Sequence, residues 1–160
     1  MKAPRNHHKL KSRHTHIAIM RSSWMLTSKI LANTKKIESR WYLHKYAPWG
    51  RIAAGDIIYF KDSGAPVKLK ANVNKVLTFE NLTPEKVQEL LNTYGKEDGI
   101  EEKDIPVFYE RFKNKKYCLL IYLTDVREVE PFGIDKKGFG AMAAWITVDN
   151  IEQIRVSEYS

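Results

Sequence analysis

Residues 35 to 56, KKIESRWYLHKYAPWGRIAAGD, constrain this chain more than any other segment. From Lys36 the side chains alternate, with Ile37, Ser39 and Trp41 toward one side and Glu38, Arg40 and Tyr42 toward the other. That is the period of a strand whose two faces differ in chemistry. Lys35, Lys36, Glu38 and Arg40 crowd into six positions, and Trp41, Tyr42, Tyr46 and Trp49 follow. Pro48 ends the strand, and a Gly55-Asp56 turn leads into the apolar IIYF. On one strand face the Cα atoms of Glu38 and Arg40 lie about 7 Å apart, and Lys35 enters beside them from a helix-to-strand corner. Cations for phosphate, aromatic faces for bases and one carboxylate for orientation or proton transfer suit a nucleotide-binding cleft. The bland alternative is that Glu38 neutralises Arg40 in a surface pair worth ~0–1 kcal/mol.

The remaining segments read as short strands with a few helices between them. Residues 16–21 form a first strand. Ser22 or Ser23 caps a helix over 23–32 that buries Leu26, Ile30 and Leu31, and Asn33 ends it in a left-handed turn. Val67 to Phe79 alternates, with Val67, Leu69, Ala71 and Val73 inward, and the turn chemistry of 62–66 makes it a hairpin with the strand before it. Thr83-Pro84-Glu85 opens a helix that runs to about Tyr94 and is closed by Gly95. KEDGIEEKD (96–104) is an acidic loop, and Asp104 caps a helix over Ile105–Phe112. Tyr117 to Val129 is a central strand, 133–142 a glycine-rich loop, and AAWITV a last strand. A doubly wound sheet needs regular strand–helix alternation, which is missing here. The pattern predicts an α+β fold: a small mixed β-barrel with two or three flanking helices.

At 160 residues with 43% hydrophobic content, one domain with one core is expected. Residues 1–15 form a flexible basic N-terminal arm, and 16–160 a single domain. Before Glu38 there is no acid and nine Lys or Arg, whereas from residue 38 on 18 Lys or Arg meet 19 Asp or Glu. The whole charge excess therefore sits in the first 37 residues, which suits either a polyanion as partner or a merely solvated tail. No apolar run approaches the roughly 18 residues of a membrane span, so no membrane partner is expected. The N-terminal stretch lacks the apolar core of an export signal. Cys118, the one cysteine, lies in the most apolar strand and reads as packing. Such usage fits a reducing compartment, the cytoplasm. His7, His8, His14 and His16 have no carboxylate or thiolate company, so no metal site and no cofactor is read from them.

Asn33-Thr34-Lys35-Lys36-Ile37-Glu38-Ser39-Arg40 resembles the Gly-x-Lys-x-x-Glu-x-Arg signature of the ASCH domain family, in the PUA-like superfamily of small RNA-associated β-barrels. The agreement spans about residues 16–150, including Pro48-Trp49, the Gly55-Asp56 turn and the late Trp145. Asn33 stands where the family usually has glycine, a mild exchange in a left-handed turn. The resemblance implies a cleft between the first helix and the barrel. Lys35 and Arg40 then look like its phosphate or base-edge contacts and Glu38 like its orienting carboxylate.

The expected function is binding of single-stranded RNA or a nucleotide. Its candidate contacts are Lys35, Lys36, Arg40, Trp41, Tyr42, Lys45, Trp49, Arg51 and Trp145. An enzyme using the same cleft is the alternative, with Lys35, Glu38 and Arg40 catalytic in a metal-independent ribonuclease. Some proteins of this family resemble amidohydrolases that remove an acetyl group from modified cytidine, where a lysine activates a threonine. This chain has Glu38 at the threonine position, so that hydroxyl is absent. A reader of a modified base and a protein–protein adaptor complete the set.

Overall fold

The computed structural model describes residues 14–156. The expected N-terminal arm falls almost entirely on 1–13, outside the described residues. Seven strands form one sheet: β1 Thr15–Met20, β2 Ile37–Tyr42, β3 Ile57–Asp62, β4 Val67–Phe79, β5 Tyr117–Ile134, β6 Trp145–Val148 and β7 Arg155–Val156. Their order is β2-β5-β4-β3-β1-β6, with β7 pairing β5 off this path. β1 runs parallel to β3 and the other pairs are antiparallel, so the sheet is mixed.

Bulges curl it. The β4–β5 register shifts between Val67 and Leu69, between Lys70 and Asn72, and between Val73 and Lys75, and each added residue bends and twists the ladder. The result is a half-barrel with three flanking helices, α1 Leu26–Leu31, α2 Pro84–Tyr94 and α3 Ile105–Phe112. This is the α+β mixed barrel that the patterning predicts.

The apolar run of β5 is explained by cover on both faces. Leu119 and Ile121 join Met20, Ile30, Phe60, Leu69 and Trp145 in one core. Cys118 and Leu120 point the other way, against Ile37, Trp41, Val87, Leu90 and Leu91. Buried there, Cys118 has its thiol pushed far above the ordinary range by desolvation. β4 buries Val67, Leu69, Ala71 and Val73 as its alternation requires. The α2 cap is also as expected: the Thr83 hydroxyl accepts from the Lys86 N–H, with Pro84 in the first turn.

Five local expectations need correction. The first helix is not continuous, because Met25 sits at φ 57 and separates a 3-10 turn at Ser22–Trp24 from α1. Neither serine caps it, since the residues at the two cap positions are Arg21 and Met25. The break leaves Leu31 47% exposed while Ile30 stays buried. Asp104 makes no side-chain capping bond to α3, because a 3-10 turn at Glu102–Asp104 already leads the chain into it. Finally, β5 continues past Val129 to Ile134, since Gly133 and Ile134 pair with Val156 and Arg155 of the short strand β7.

Asn33 takes φ 65, the left-handed corner that lets α1 turn into β2. Asn33→Ala places a Cβ-bearing residue without a helpful amide there. It is expected to cost about 1 kcal/mol in urea unfolding, while Asn33→Gly stays within a few tenths of the parent.

Candidate functional site

The corner after α1 aims Lys35. The Thr34 and Lys35 N–H groups both donate to the Lys29 carbonyl at 3.0 Å, which folds the chain sharply back. A second segment then lies along the start of β2: the Glu97 carbonyl accepts from the N–H groups of Lys36 and Ile37 at 2.6 and 3.0 Å. Gly99, at φ +82, lies directly over the Lys35 stem. A Cβ there would come within 2.9 Å of the Lys35 Cβ, so both the backbone conformation and the close approach call for glycine.

Four charged side chains meet at this junction. The Lys35 ammonium donates to Asp98 Oδ1 at 2.5 Å and to the Asp98 carbonyl at 2.9 Å, and lies 3.4 Å from Glu38 Oε1. Arg40 Nε donates to Glu38 Oε2 at 2.8 Å. Ser39 Oγ donates to Asp98 Oδ2 at 2.6 Å and accepts from the Trp41 indole N–H at 3.1 Å. Lys35 and Glu38 are each 3% exposed and Asp98 4%, so this is a desolvated network and not the surface pair of the bland alternative. Desolvation works against the Lys35 ammonium, but Asp98 and Glu38 outweigh it and hold its pKa above that of a free lysine. Desolvation dominates at Asp98 and pushes its carboxyl up, with Lys35 and Ser39 pulling the other way. Two positive and two negative groups leave the junction formally neutral.

A second polar chain backs the first. The Arg40 guanidinium lies 4.9 Å from the centre of the Trp145 ring and donates to the Ala144 carbonyl at 3.3 Å. The Trp145 N–H donates to His16 Nδ1 at 3.1 Å, and His16 Nε2 meets Asp56 Oδ2 at 2.9 Å. An indole can only donate, so Nδ1 accepts and the proton sits on Nε2. Asp56 also accepts from the His14 and Ala53 N–H groups. Desolvation alone would raise its carboxyl, but these bonds and His16 together lower it.

The junction forms one wall of a cavity of about 540 Å³ that also includes Trp24, Trp41, Tyr42, Phe108 and Phe112, a volume within the usual range for small-ligand sites. Lys35, Glu38 and Arg40 all contribute to it, and among the other expected contacts so do Trp41 and Tyr42. Trp41 is buried and stacks on Phe112, with 4.8 Å between ring centres and 6° between planes.

The other expected contacts lie elsewhere. Trp145 is buried beneath Arg40, outside the cavity lining. Lys36 is exposed and also outside it. Trp49 packs edge-on against Tyr117, and Lys45 lies over both rings while pairing with Glu80 at 3.2 Å. Arg51 is exposed in the turn after Pro48, and it too is outside the lining. Of the histidines, His16 is committed to Asp56 and Trp145, and His7 and His8 lie outside the described residues. No described helix is long and apolar enough to cross a membrane.

Sequence reasoning missed Asp98, Ser39, Trp24, Phe108 and Phe112. Asp98 lay hidden among the acids of 96–104, and only its neighbour Gly99 hinted at a close approach.

No protein-family model matches the chain, and no curated protein matches it. Solved structures do. The ASCH protein of Zymomonas mobilis aligns at 15% identity with a TM-score of 0.60, covering 84% of this chain and 87% of its own. A tyrosine-to-phenylalanine variant of that protein aligns at 15% identity and TM-score 0.61, covering 87% of this chain and 93% of its own. A serine-to-alanine variant gives 16%, 0.63, 89% and 93%. The curled mixed sheet, its flanking helices and these superpositions agree that the chain has the ASCH-domain fold.

Proposed function

We propose that this protein binds single-stranded RNA by taking one unpaired nucleotide into the cavity beside β2. The observation that carries the reading is the convergence of Lys35, Glu38, Ser39, Arg40 and Asp98 on one face of an aromatic-walled cavity. Such a wall offers donors and acceptors to the edge of a base, and the rings of Phe108, Phe112, Trp41 and Trp24 offer apolar surface to its faces. The ASCH-domain fold supports a nucleic-acid-binding module in general terms. The basic residues before β1 add non-specific phosphate attraction. We place the protein in the cytoplasm, in keeping with one buried, unpaired cysteine.

Binding is favoured over turnover by the state of the carboxylates. Glu38 holds Lys35 on one oxygen and Arg40 on the other, and Asp98 holds Lys35 and Ser39 likewise. Groups so fully engaged position a ligand well and are poorly free to accept its proton.

Single-stranded RNA titrated into the protein is expected to quench tryptophan emission, because Trp24 and Trp41 face the cavity. Phe108→Ala should weaken binding by ~1–3 kcal/mol, the usual worth of a stacked base. The logarithm of affinity should fall with that of salt by ~0.7 per neutralised phosphate. Affinity untouched both by salt and by Phe108→Ala would defeat the reading. Incubation with labelled RNA in chelator, with Lys35→Ala and Glu38→Ala alongside, tests the ribonuclease alternative.

A further inference from the structure

We infer that the phosphate of a bound nucleotide is held by Arg21 and Arg111 around Trp24, at the mouth of the cavity, and not by Lys35 and Arg40. The inference rests on the proposed nucleotide reading and assigns the phosphate subsite within it.

The signature cations are already satisfied. Lys35 is shared between Asp98 and Glu38, and Arg40 is tied to Glu38 while its other nitrogens reach the Ala144 carbonyl and the Met20 sulfur. A phosphate at Lys35 would have to displace a buried charge-assisted bond, and at Arg40, which keeps two N–H groups but has its charge neutralised by Glu38, it would meet no net positive charge. The interior of the cavity therefore suits an uncharged ring.

The mouth is different. The guanidinium carbons of Arg21 and Arg111 each lie 4.7 Å from the centre of the Trp24 ring. Trp24 is in turn fixed edge-to-face on Phe108, 5.7 Å between centres. Two like charges are thus gathered around one half-buried indole. Both side chains are exposed, and among the described residues neither is ion-paired with a carboxylate. Stacking on a ring holds the guanidinium plane and leaves its N–H edge free, the edge that takes phosphate oxygens in pairs.

Arg21 and Trp24 line the cavity themselves, together with Lys29, whose ammonium donates to the Gly99 carbonyl at 2.9 Å. In the whole lining four cations (Arg21, Lys29, Lys35 and Arg40) face three acids (Glu38, Asp98 and Asp104). With Glu38 and Asp98 consumed by Lys35 and Arg40, Asp104 alone offsets Arg21 and Lys29, and Arg111 adds to their side. The two exposed arginines around Trp24 carry that surplus together with Lys29.

Calorimetric titration of the full chain with a nucleoside, its 5′- and 3′-monophosphates, and inorganic phosphate tests this. One monophosphate is expected to bind on the order of tenfold more tightly than the nucleoside, as one net charge-assisted contact allows. Arg21→Gln with Arg111→Gln should erase that difference, while binding of the nucleoside itself persists. Phe108→Ala should instead weaken nucleoside and monophosphate alike. Inorganic phosphate alone should bind far more weakly than the nucleotide, and equal binding would make the site an anion site unconnected with the cavity and overturn the proposal. A phosphate increment that survives the double arginine change also overturns it. If neither nucleosides nor nucleotides bind at all, the nucleotide reading fails first and this assignment with it.

Discussion

Asp98→Ala is expected to lower the stability of the fold by about 3–5 kcal/mol, among the largest effects of any single polar substitution here. The change removes the carboxylate that accepts from Lys35 and from Ser39, and leaves an ammonium only 3% exposed with a backbone carbonyl at 2.9 Å and a single carboxylate, that of Glu38, at 3.4 Å. The cost comes from stranding a desolvated charge, so it should shrink when that charge is removed too. Lys35→Met combined with Asp98→Leu is therefore expected to be more stable than Asp98→Ala alone, although it deletes more polar contacts. Urea unfolding of the parent, Lys35→Met, Asp98→Leu and their combination gives the coupling directly. A loss below 1 kcal/mol for Asp98→Ala would mean that water reaches the ammonium.

The same pair fixes an alkaline limit. Lys35 has a folded pKa above its ordinary 10.5, so the stability it contributes is complete below that value. It is lost as pH rises through the higher folded value. Lys35→Met should flatten that part of the profile.

His16→Ala is expected to cost a comparable 3–4 kcal/mol at neutral pH. The ring is wholly buried, accepts from the Trp145 N–H and faces Asp56. Its removal opens a void and leaves a buried indole N–H and a carboxylate oxygen each short of a partner. Asp56 supplies a pH signature for this network. Its folded pKa lies below the ordinary 3.8, so its contribution is complete above that value. The contribution is lost as pH falls through the depressed folded value. Asp56→Asn should accordingly be less stable than the parent at pH 7, and the gap should close in strong acid. A gap constant with pH would assign the loss to packing alone.

These two networks mark the border of what the sequence reveals. The barrel was readable because its signals are local: period two along β4, the Thr83-Pro84 start of α2, and the left-handed tolerance of Asn33. The positions of Lys35, Glu38 and Arg40 were readable for the same reason, since three side chains on one corner and one strand share a neighbourhood by geometry. Asp98 was not. It is one of five acids in 96–104, and nothing in a run of acids says which will be buried. The break at Met25 was hidden as well, because that residue fits a helical pattern and the contact of its neighbour Trp24 with Phe108 joins segments far apart in the chain. Aromatics were the least legible class, since the same ring chemistry serves core, rim and cavity. Trp41 faces both a core and the cavity, Trp145 lies under Arg40, and Trp24 reads in the sequence as one more helical position. Their burial depends on strand curvature, which the β4–β5 bulges set.

Asp98 stands 63 residues downstream of Lys35. During synthesis, the lysine leaves the ribosome with Glu38 for company but before Asp98 is made, and it waits in water until α2 has been built and folded back. The hollow is therefore a product of chain completion. A nascent chain stopped short of residue 98 carries every residue of the signature and has nowhere to put a ligand.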